Sequence, residues 1–258
     1  MKIRSCQGIP LKGSSKIGVV LLIAAAAATN LLAVESKPAP SGSVLEAQVV
    51  QRYLTAAHEQ QNALRGASME VEIHASVPKL QREGRLQALR NISRLGKVTY
   101  RMLGFNGDNA VKKEVIARYL TADVQGQSGP DIAITPANYK FKLKGVRDAS
   151  THPVYVLSVS PRKKEVGLFR GEIWVDQETS MPIRESGRFV KNPSILLKRM
   201  EFVRTYELQD GLAVPKRVES TVATRLFGPV QLTIGFTHLV RDPDAATNTV
   251  ASLSETQE

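Results

Sequence analysis

Gly171-Glu-Ile-Trp-Val-Asp-Gln-Glu-Thr-Ser-Met-Pro-Ile-Arg184 opens the stretch that decides the fold. Phe202-Val-Arg-Thr-Tyr-Glu-Leu208 and Asp210-Gly-Leu-Ala-Val-Pro-Lys-Arg-Val-Glu-Ser220 carry it on. Ile173 and Val175 face one way and Trp174 the other, the period-two alternation of a strand in a sheet. Gln177–Pro182 has turn composition, and Ile183–Phe189 resumes the strand. Asp210-Gly211 is a short hairpin signal, and the strand after it carries Val214, Val218, Val222 and Leu226 on one face.

The alternation extends in both directions. After the Gly228-Pro229 turn, Val230, Leu232, Ile234, Phe236, His238 and Val240 share a face. Upstream, Val154–Ser160 is a short apolar run, and Tyr139, Phe141 and Leu143 alternate with Lys140, Lys142 and Lys144. Met69, Val71, Ile73 and Ala75 alternate with Glu70, Glu72 and His74. Residues 84–95 lie between strand signals, and Val98, Tyr100 and Met102 mark one face of the strand after them. Eight to ten antiparallel strands with short turns imply a curved sheet, a sandwich or a barrel.

Two helical segments remain. Ser43, with Glu46 three residues on, reads as a capping box opening a helix to about Leu64, where Gly66 stops it. Leu45, Val49, Tyr53 and Ala57 recur at i+4 on one face of that helix. Residues 110–123 place Val111, Val115 and Tyr119 on a similar stripe. A strongly curved antiparallel sheet has a concave face that must be covered, so both helices are expected there. The fold class is α+β, mainly β.

The N-terminus addresses the compartment. Residues 1–16 carry Lys2, Arg4, Lys12 and Lys16 without an acid, and 17–34 are 18 uncharged residues with five consecutive alanines. A basic start followed by an apolar run has the form of a secretion signal. Residues 1–36 are therefore read as a signal peptide that directs the chain to the periplasm. The rival reading is an uncleaved inner-membrane anchor, for which the run is at the short edge of the roughly 17–25 residues that span a bilayer. Residues 37–43 are a linker, 44–241 one domain, and 242–258 a disordered tail. About 220 residues suffice for an ordinary core. Cys6, the sole cysteine, precedes the apolar run, so the exported part has neither a disulfide nor a thiol.

The net charge is +11, of which residues 1–35 supply +3, leaving +8 on the exported part. Such a surface suits anionic partners such as lipid headgroups or acidic glycans. The plainer reading is cations spread over the solvent faces of strands. Export, and the lack of an aromatic-basic platform, argue against nucleic acid.

The order of elements over residues 44–241 resembles the LolA/LolB-like superfamily of outer-membrane lipoprotein-sorting carriers. The Trp174-Val-Asp176 segment and the Asp210-Gly-Leu-Ala-Val-Pro215 segment are similar to that family's strand-turn patterns. The resemblance implies an unclosed half-barrel with helices covering the concave face over an apolar cavity. Fold alone does not fix function.

Catalytic signatures are weak. His58, His74, His152 and His238 show no metal-ligand spacing, and Gly-x-Ser-x-Gly is absent. His238 falls on the apolar face of the last strand, where a core or rim histidine is the plain reading. Glu70 and Glu72 share a sheet face among surface charges, while Asp176, Glu178 and Asp210 sit where turns want acids. Trp174 is a core residue or a lining of the lipid cavity, where a ring with one donor suits an acyl chain meeting a polar group. No enzyme, metal or cofactor is expected.

The reading is an exported carrier of lipoprotein acyl chains or other lipid, monomeric, lined by Tyr100, Met102, Phe141, Trp174, Phe202, Tyr206, Leu232, Ile234 and Phe236. It is expected to meet an inner- or outer-membrane protein. The alternatives are an envelope sensor or adaptor that binds a protein partner, and a hydrolase with unrecognised residues.

Overall fold

Apolar residues at alternate positions force segment after segment of this chain to bury one face. The computed structural model, which describes residues 42–126, 132–149, 153–192, 197–209, 211–225 and 228–241, joins these segments in one 10-stranded antiparallel sheet. The strands are β1 Ser68–Val77, β2 Arg82–Ile92, β3 Val98–Gly107, β4 Tyr139–Asp148, β5 Pro153–Pro161, β6 Phe169–Asp176, β7 Pro182–Phe189, β8 Leu197–Gln209, β9 Leu212–Thr224 and β10 Pro229–Val240. Their order is β3-β2-β1-β10-β9-β8-β7-β6-β5-β4. Sequence neighbours other than β3 and β4 pair antiparallel, and β1 closes on β10 with Ile73 opposite Ile234. β3 and β4 are the free edges, so the half-barrel stays unclosed.

Register slips bend the sheet. They fall at Ser68/Glu70, Gln87/Ala88, Leu143/Gly145, Trp174/Val175, Leu197/Arg199 and Thr205/Tyr206, and each extra residue locally increases twist. At the paired Gly171 and Gly187 the backbones of β6 and β7 approach closely. A Cβ on Gly187 would lie 2.5 Å from the Arg170 carbonyl, and one on Gly171 would overlap the Ser186 carbonyl. Both positions therefore require glycine.

Two helical segments cover the face carrying Val71, Ile73, Leu232, Ile234, Phe202 and Ile173. The first, α1 (Gly42–Ala63), buries Val49, Tyr53 and Ala56. It starts ahead of Ser43, at Gly42, and the Glu46 carboxylate accepts the Leu143 N–H of β4 at 2.7 Å. At the other end Gln60 donates to the Ala213 carbonyl (2.8 Å) and accepts from the Ala213 N–H (3.0 Å). The second segment is α2 (Asn109–Val111), a π-helical turn (Lys112–Ile116) and α3 (Ala117–Gly126). Asp108 caps it, its Oδ1 accepting from the N–H groups of Ala110 (2.7 Å) and Val111 (3.1 Å). No helix among the described residues is long and apolar enough to cross a membrane. Residues 1–36, read above as a signal peptide, nearly all of the expected linker, residues 242–258, His152, Asp210 and Leu226 lie outside the described residues.

The Trp-Val-Asp motif is a turn device. Asp176 is 4% exposed, and its Oδ1 accepts from the Thr179 N–H and Oγ1 (both 2.8 Å) and the Glu178 N–H (3.1 Å). This Asx-type turn aims β6 into β7. His238 departs from the expected apolar-face position. It has φ 52° in the bulge of β10, its side chain is 74% exposed, and its Nδ1 lies 3.2 Å from Glu70 on the outer face. The extra residue breaks the alternation that sequence periodicity assumes.

Candidate functional site

The two helical segments divide the covered face into halves. Under α1, Val49 and Tyr53 pack on Leu157, Val159, Phe169, Ile173 and Phe202. The Phe169 and Phe202 rings meet edge to face at 5.0 Å, with Phe189 5.2 Å from Phe202. Under Asn109–Gly126, Val111 and Ile116 pack with Val71, Ile73, Leu86, Leu232 and Ile234.

A polar seam runs between the halves. Strand register sets it: on the covered face Arg204 of β8 stands opposite Glu185 of β7 and Val218 of β9, and Arg90 of β2 opposite Tyr100 of β3. Arg204 Nη1 lies 3.0 Å from Glu185 Oε2 and donates to Tyr206 Oη at 3.4 Å. Glu185 is buried, while the Arg204 side chain is 37% exposed. Asp123 of α3 accepts from Tyr100 Oη at 2.8 Å and lies 3.9 Å from Arg90 Nε, which itself donates to Tyr100 Oη at 3.2 Å. Paired charges of this kind are what a buried face tolerates.

Burial raises the phenol pKa of Tyr53, Tyr100, Tyr119 and Tyr206 above the ordinary value. The next cause is the Asp123 carboxylate for Tyr100 and Tyr119, and Glu185 for Tyr53 and Tyr206. Arg204 is held more firmly as a cation by Tyr206 and then by Glu185, against its burial. The seam at neutral pH is therefore neutral phenols around paired ions.

A cavity of about 80 Å³ opens in the seam, lined by Arg90, Tyr119, Asp123, Arg204, Tyr206, Pro215, Val218 and Phe236. Ligand pockets run from roughly 300 Å³ upward, so this cavity is well below the usual size.

Of the residues expected to line an apolar cavity, Tyr100, Met102, Phe141, Phe202, Tyr206, Leu232, Ile234 and Phe236 stand on the covered face, distributed between the halves. Phe141 and Phe202 lie under α1, and Tyr100, Leu232, Ile234 and Phe236 belong to the other half. Tyr206 packs beside Ala56, Met181 and Ala213, and Met102 on edge strand β3 is 53% exposed. Trp174 is on the opposite face, because Ile173 and Val175 take the inward positions. Arg147 and Arg184 flank its ring at 5.6 and 5.2 Å, and its Nε1 donates to Glu172 at 3.4 Å.

Sequence reading passed over Arg90, Asp123, Glu185 and Arg204. Arg204 had a legible signal, since it sits in register between Phe202 and Tyr206. Asp123 had none, because its partners come from strands that precede it by 23 and more residues. Among the described residues no three His, Cys, Asp or Glu side chains group to hold a metal. Glu72 faces Arg85 at 3.9 Å and Glu70 faces His238.

No family model matches the chain, and no curated protein does. Solved structures similar to it include a DUF1329 family protein from Desulfovibrio piger, at 14% identity and TM-score 0.40, covering 76% of this chain and 93% of that one. A LolA superfamily protein from Nitrosomonas europaea matches at 12% identity and TM-score 0.37, over 80% of this chain and 96% of that one. The Pseudomonas aeruginosa MucA/MucB complex matches at 13% identity and TM-score 0.25, over 71% and 93%.

Proposed function

We propose that this chain is an exported periplasmic carrier of amphiphilic lipids, lipoprotein acyl chains among them, and that the segment Asn109–Gly126 is its lid. The observation that carries the reading is the apolar strip of Val71, Ile73, Leu86, Leu232 and Ile234, covered by one short helical segment. Raising that segment replaces helix side chains with acyl chain on the same strip, at about 0.8 kcal/mol per buried CH₂. The exchange is a shift between two packed states, set by differential affinity. The Tyr100–Asp123 contact gives the lid a polar latch beside the strip. Residues 1–36 would deliver the chain across the inner membrane, and N-terminal sequencing of the exported protein tests their removal.

Native mass spectrometry of gently purified protein tests the carrier reading. The expected result is co-purified lipid, displaced when bulky residues are introduced on the strip, for example Ala88→Phe. A chain empty of lipid that instead retains one protein partner overturns it in favour of an adaptor. The second reading draws on the free edges, where β3 exposes Met102 and Leu103 and β4 exposes Val146, a template for strand addition by a partner peptide.

A further inference from the structure

We infer that the outer face of β4–β7, opposite the helix-covered face, is a docking surface for an anionic lipid bilayer. The inference adds a site to the carrier reading and rests on it for the nature of the partner.

Strand alternation builds the surface. Lys140, Lys142 and Lys144 are the exposed positions of β4, between inward Tyr139, Phe141 and Leu143. Arg170 of β6 stands directly opposite Arg188 of β7, and both are exposed. Like charges directly opposite one another destabilise a strand pair, and the facing of Arg188 by Glu201 across β7–β8 offsets only part of that cost, because Glu201 is already paired with Arg199. Among the described residues, Lys140, Lys142, Arg170 and Arg188 have no carboxylate within ion-pair distance. The carboxylates at outward positions on these strands are already committed. Glu172 pairs with Lys144 at 2.6 Å, and buried Asp176 caps its own turn. β5 contributes the hydroxyls of Ser158 and Ser160, opposite Lys142 and Lys140. Glu172 has its pKa lowered, first by the Lys144 hydrogen bond.

Dimensions and composition favour a membrane over an acidic peptide. At about 4.8 Å per strand and about 3.3 Å per residue, the cations span roughly 14 Å by 13 Å. The whole patch exceeds one Debye length, about 8–10 Å, but adjacent cations, about 7 Å apart along β4 and about 5 Å apart across β6–β7, lie within it and act together on a charged plane. A peptide needs apolar pockets for anchors. Here the outward aliphatics Val154 and Val156 are buried, and Trp174, opposite Val156, is flanked by Arg147 and Arg184. What remains exposed is long basic side chains, which suit a layer of phosphate headgroups. Towards β8 and β9 carboxylates return with Glu201 and Glu219, each beside an arginine, which bounds the surface.

The test is co-sedimentation of the full chain with vesicles of phosphatidylglycerol and phosphatidylcholine in equal parts, against phosphatidylcholine alone. The readout is the ratio of the two affinities. A retained N-terminal segment, with Lys2, Arg4, Lys12 and Lys16, would add its own preference for anionic vesicles, but equally in every variant, so the change in ratio between variants isolates the β4–β7 face. The wild type is expected to prefer anionic vesicles by on the order of a hundredfold at low salt, with the preference fading at high salt. The variant K140Q/K142Q/R170Q/R188Q should lose at least about tenfold of that ratio. Its circular dichroism and its co-purified lipid should be unchanged. A control removing the same charge elsewhere, K79Q/K97Q/R101Q/K216Q, should keep most of the preference. A wild-type ratio near one, equal losses in both variants, or binding to polyglutamate but not to anionic vesicles each overturns the inference. The lipid mass spectrum reports separately on the carrier reading, so the two can fail independently.

Discussion

Tyr100 on β3 donates a 2.8 Å hydrogen bond to Asp123 on α3, tying the end of the Asn109–Gly126 segment to the edge of the sheet it covers. Arg90 approaches the same carboxylate at 3.9 Å. The contact is polar and local, so it can break without unpacking the sheet. Tyr100→Phe removes two hydrogen bonds, the one to Asp123 and the one from Arg90, of which the first holds the helical segment and is worth about 1 kcal/mol net. Amide hydrogen exchange in 109–126 should accelerate by roughly fivefold, with β1 and β10 unchanged. Equal acceleration in the sheet would show that the contact supports the whole fold instead.

Arg204 and Glu185 supply a stability test. Arg204→Met leaves the Glu185 carboxylate buried without its cation. The expected loss is about 2 kcal/mol, below the roughly 3–5 of fully buried pairs because the arginine reaches solvent. Adding Glu185→Met should recover most of it. Urea denaturation of the single and double variants measures the coupling, and additive losses would refute it.

Gln60 and Ala213 fasten α1 to β9 through two hydrogen bonds. Gln60→Ala should cost about 1–3 kcal/mol, and Gln60→Glu should not rescue it, because the carboxylate cannot donate to the Ala213 carbonyl. Thermal melts of the two variants distinguish this from loss of helix propensity, which alanine would improve.

Gly171→Ala should destabilise by at least about 1–3 kcal/mol, since the added methyl meets backbone of β7 rather than a flexible side chain. Gly235→Ala, on β10, meets nothing within 4 Å and should be near neutral. Equal effects in denaturation would contradict the close approach of β6 and β7.

Alkaline pH should unfold the protein cooperatively. Tyr53, Tyr100, Tyr119 and Tyr206 have phenol pKa values raised in the folded state. Their contribution is therefore complete below the unfolded tyrosine value, about 10. It is lost as pH climbs from there through the folded values, because the unfolded chain releases these protons first. Tyrosinate absorbance and circular dichroism should change together above about pH 10. Phenols titrating on a chain that stays folded would show them accessible.

Most strands were legible because alternation is a local signal. Met69–Ala75, Tyr139–Lys144 and Val230–Phe236 each declare two faces in their own residues. The Asp176 turn and the α1 stripe are local for the same reason. His238 marks the limit, since one positive-φ residue in a bulge moved its side chain to the opposite face. The seam lay further beyond reach. Arg90, Asp123, Glu185 and Arg204 come from four elements, and nothing in the spacing of one predicts the partner supplied by another.

The sequence by itself determined a mainly antiparallel sheet with two amphipathic helical segments, since periodicity of 2 and of 3.6 residues depends on near neighbours alone. Tertiary structure decided what the helices cover. Register across β2, β3, β7 and β8 set paired ions between the apolar halves, and the same alternation put Trp174 and the lysines of β4 on the outer face. Those outcomes depend on which strands pair and where the bulges fall, and pairing is a property of the whole sheet.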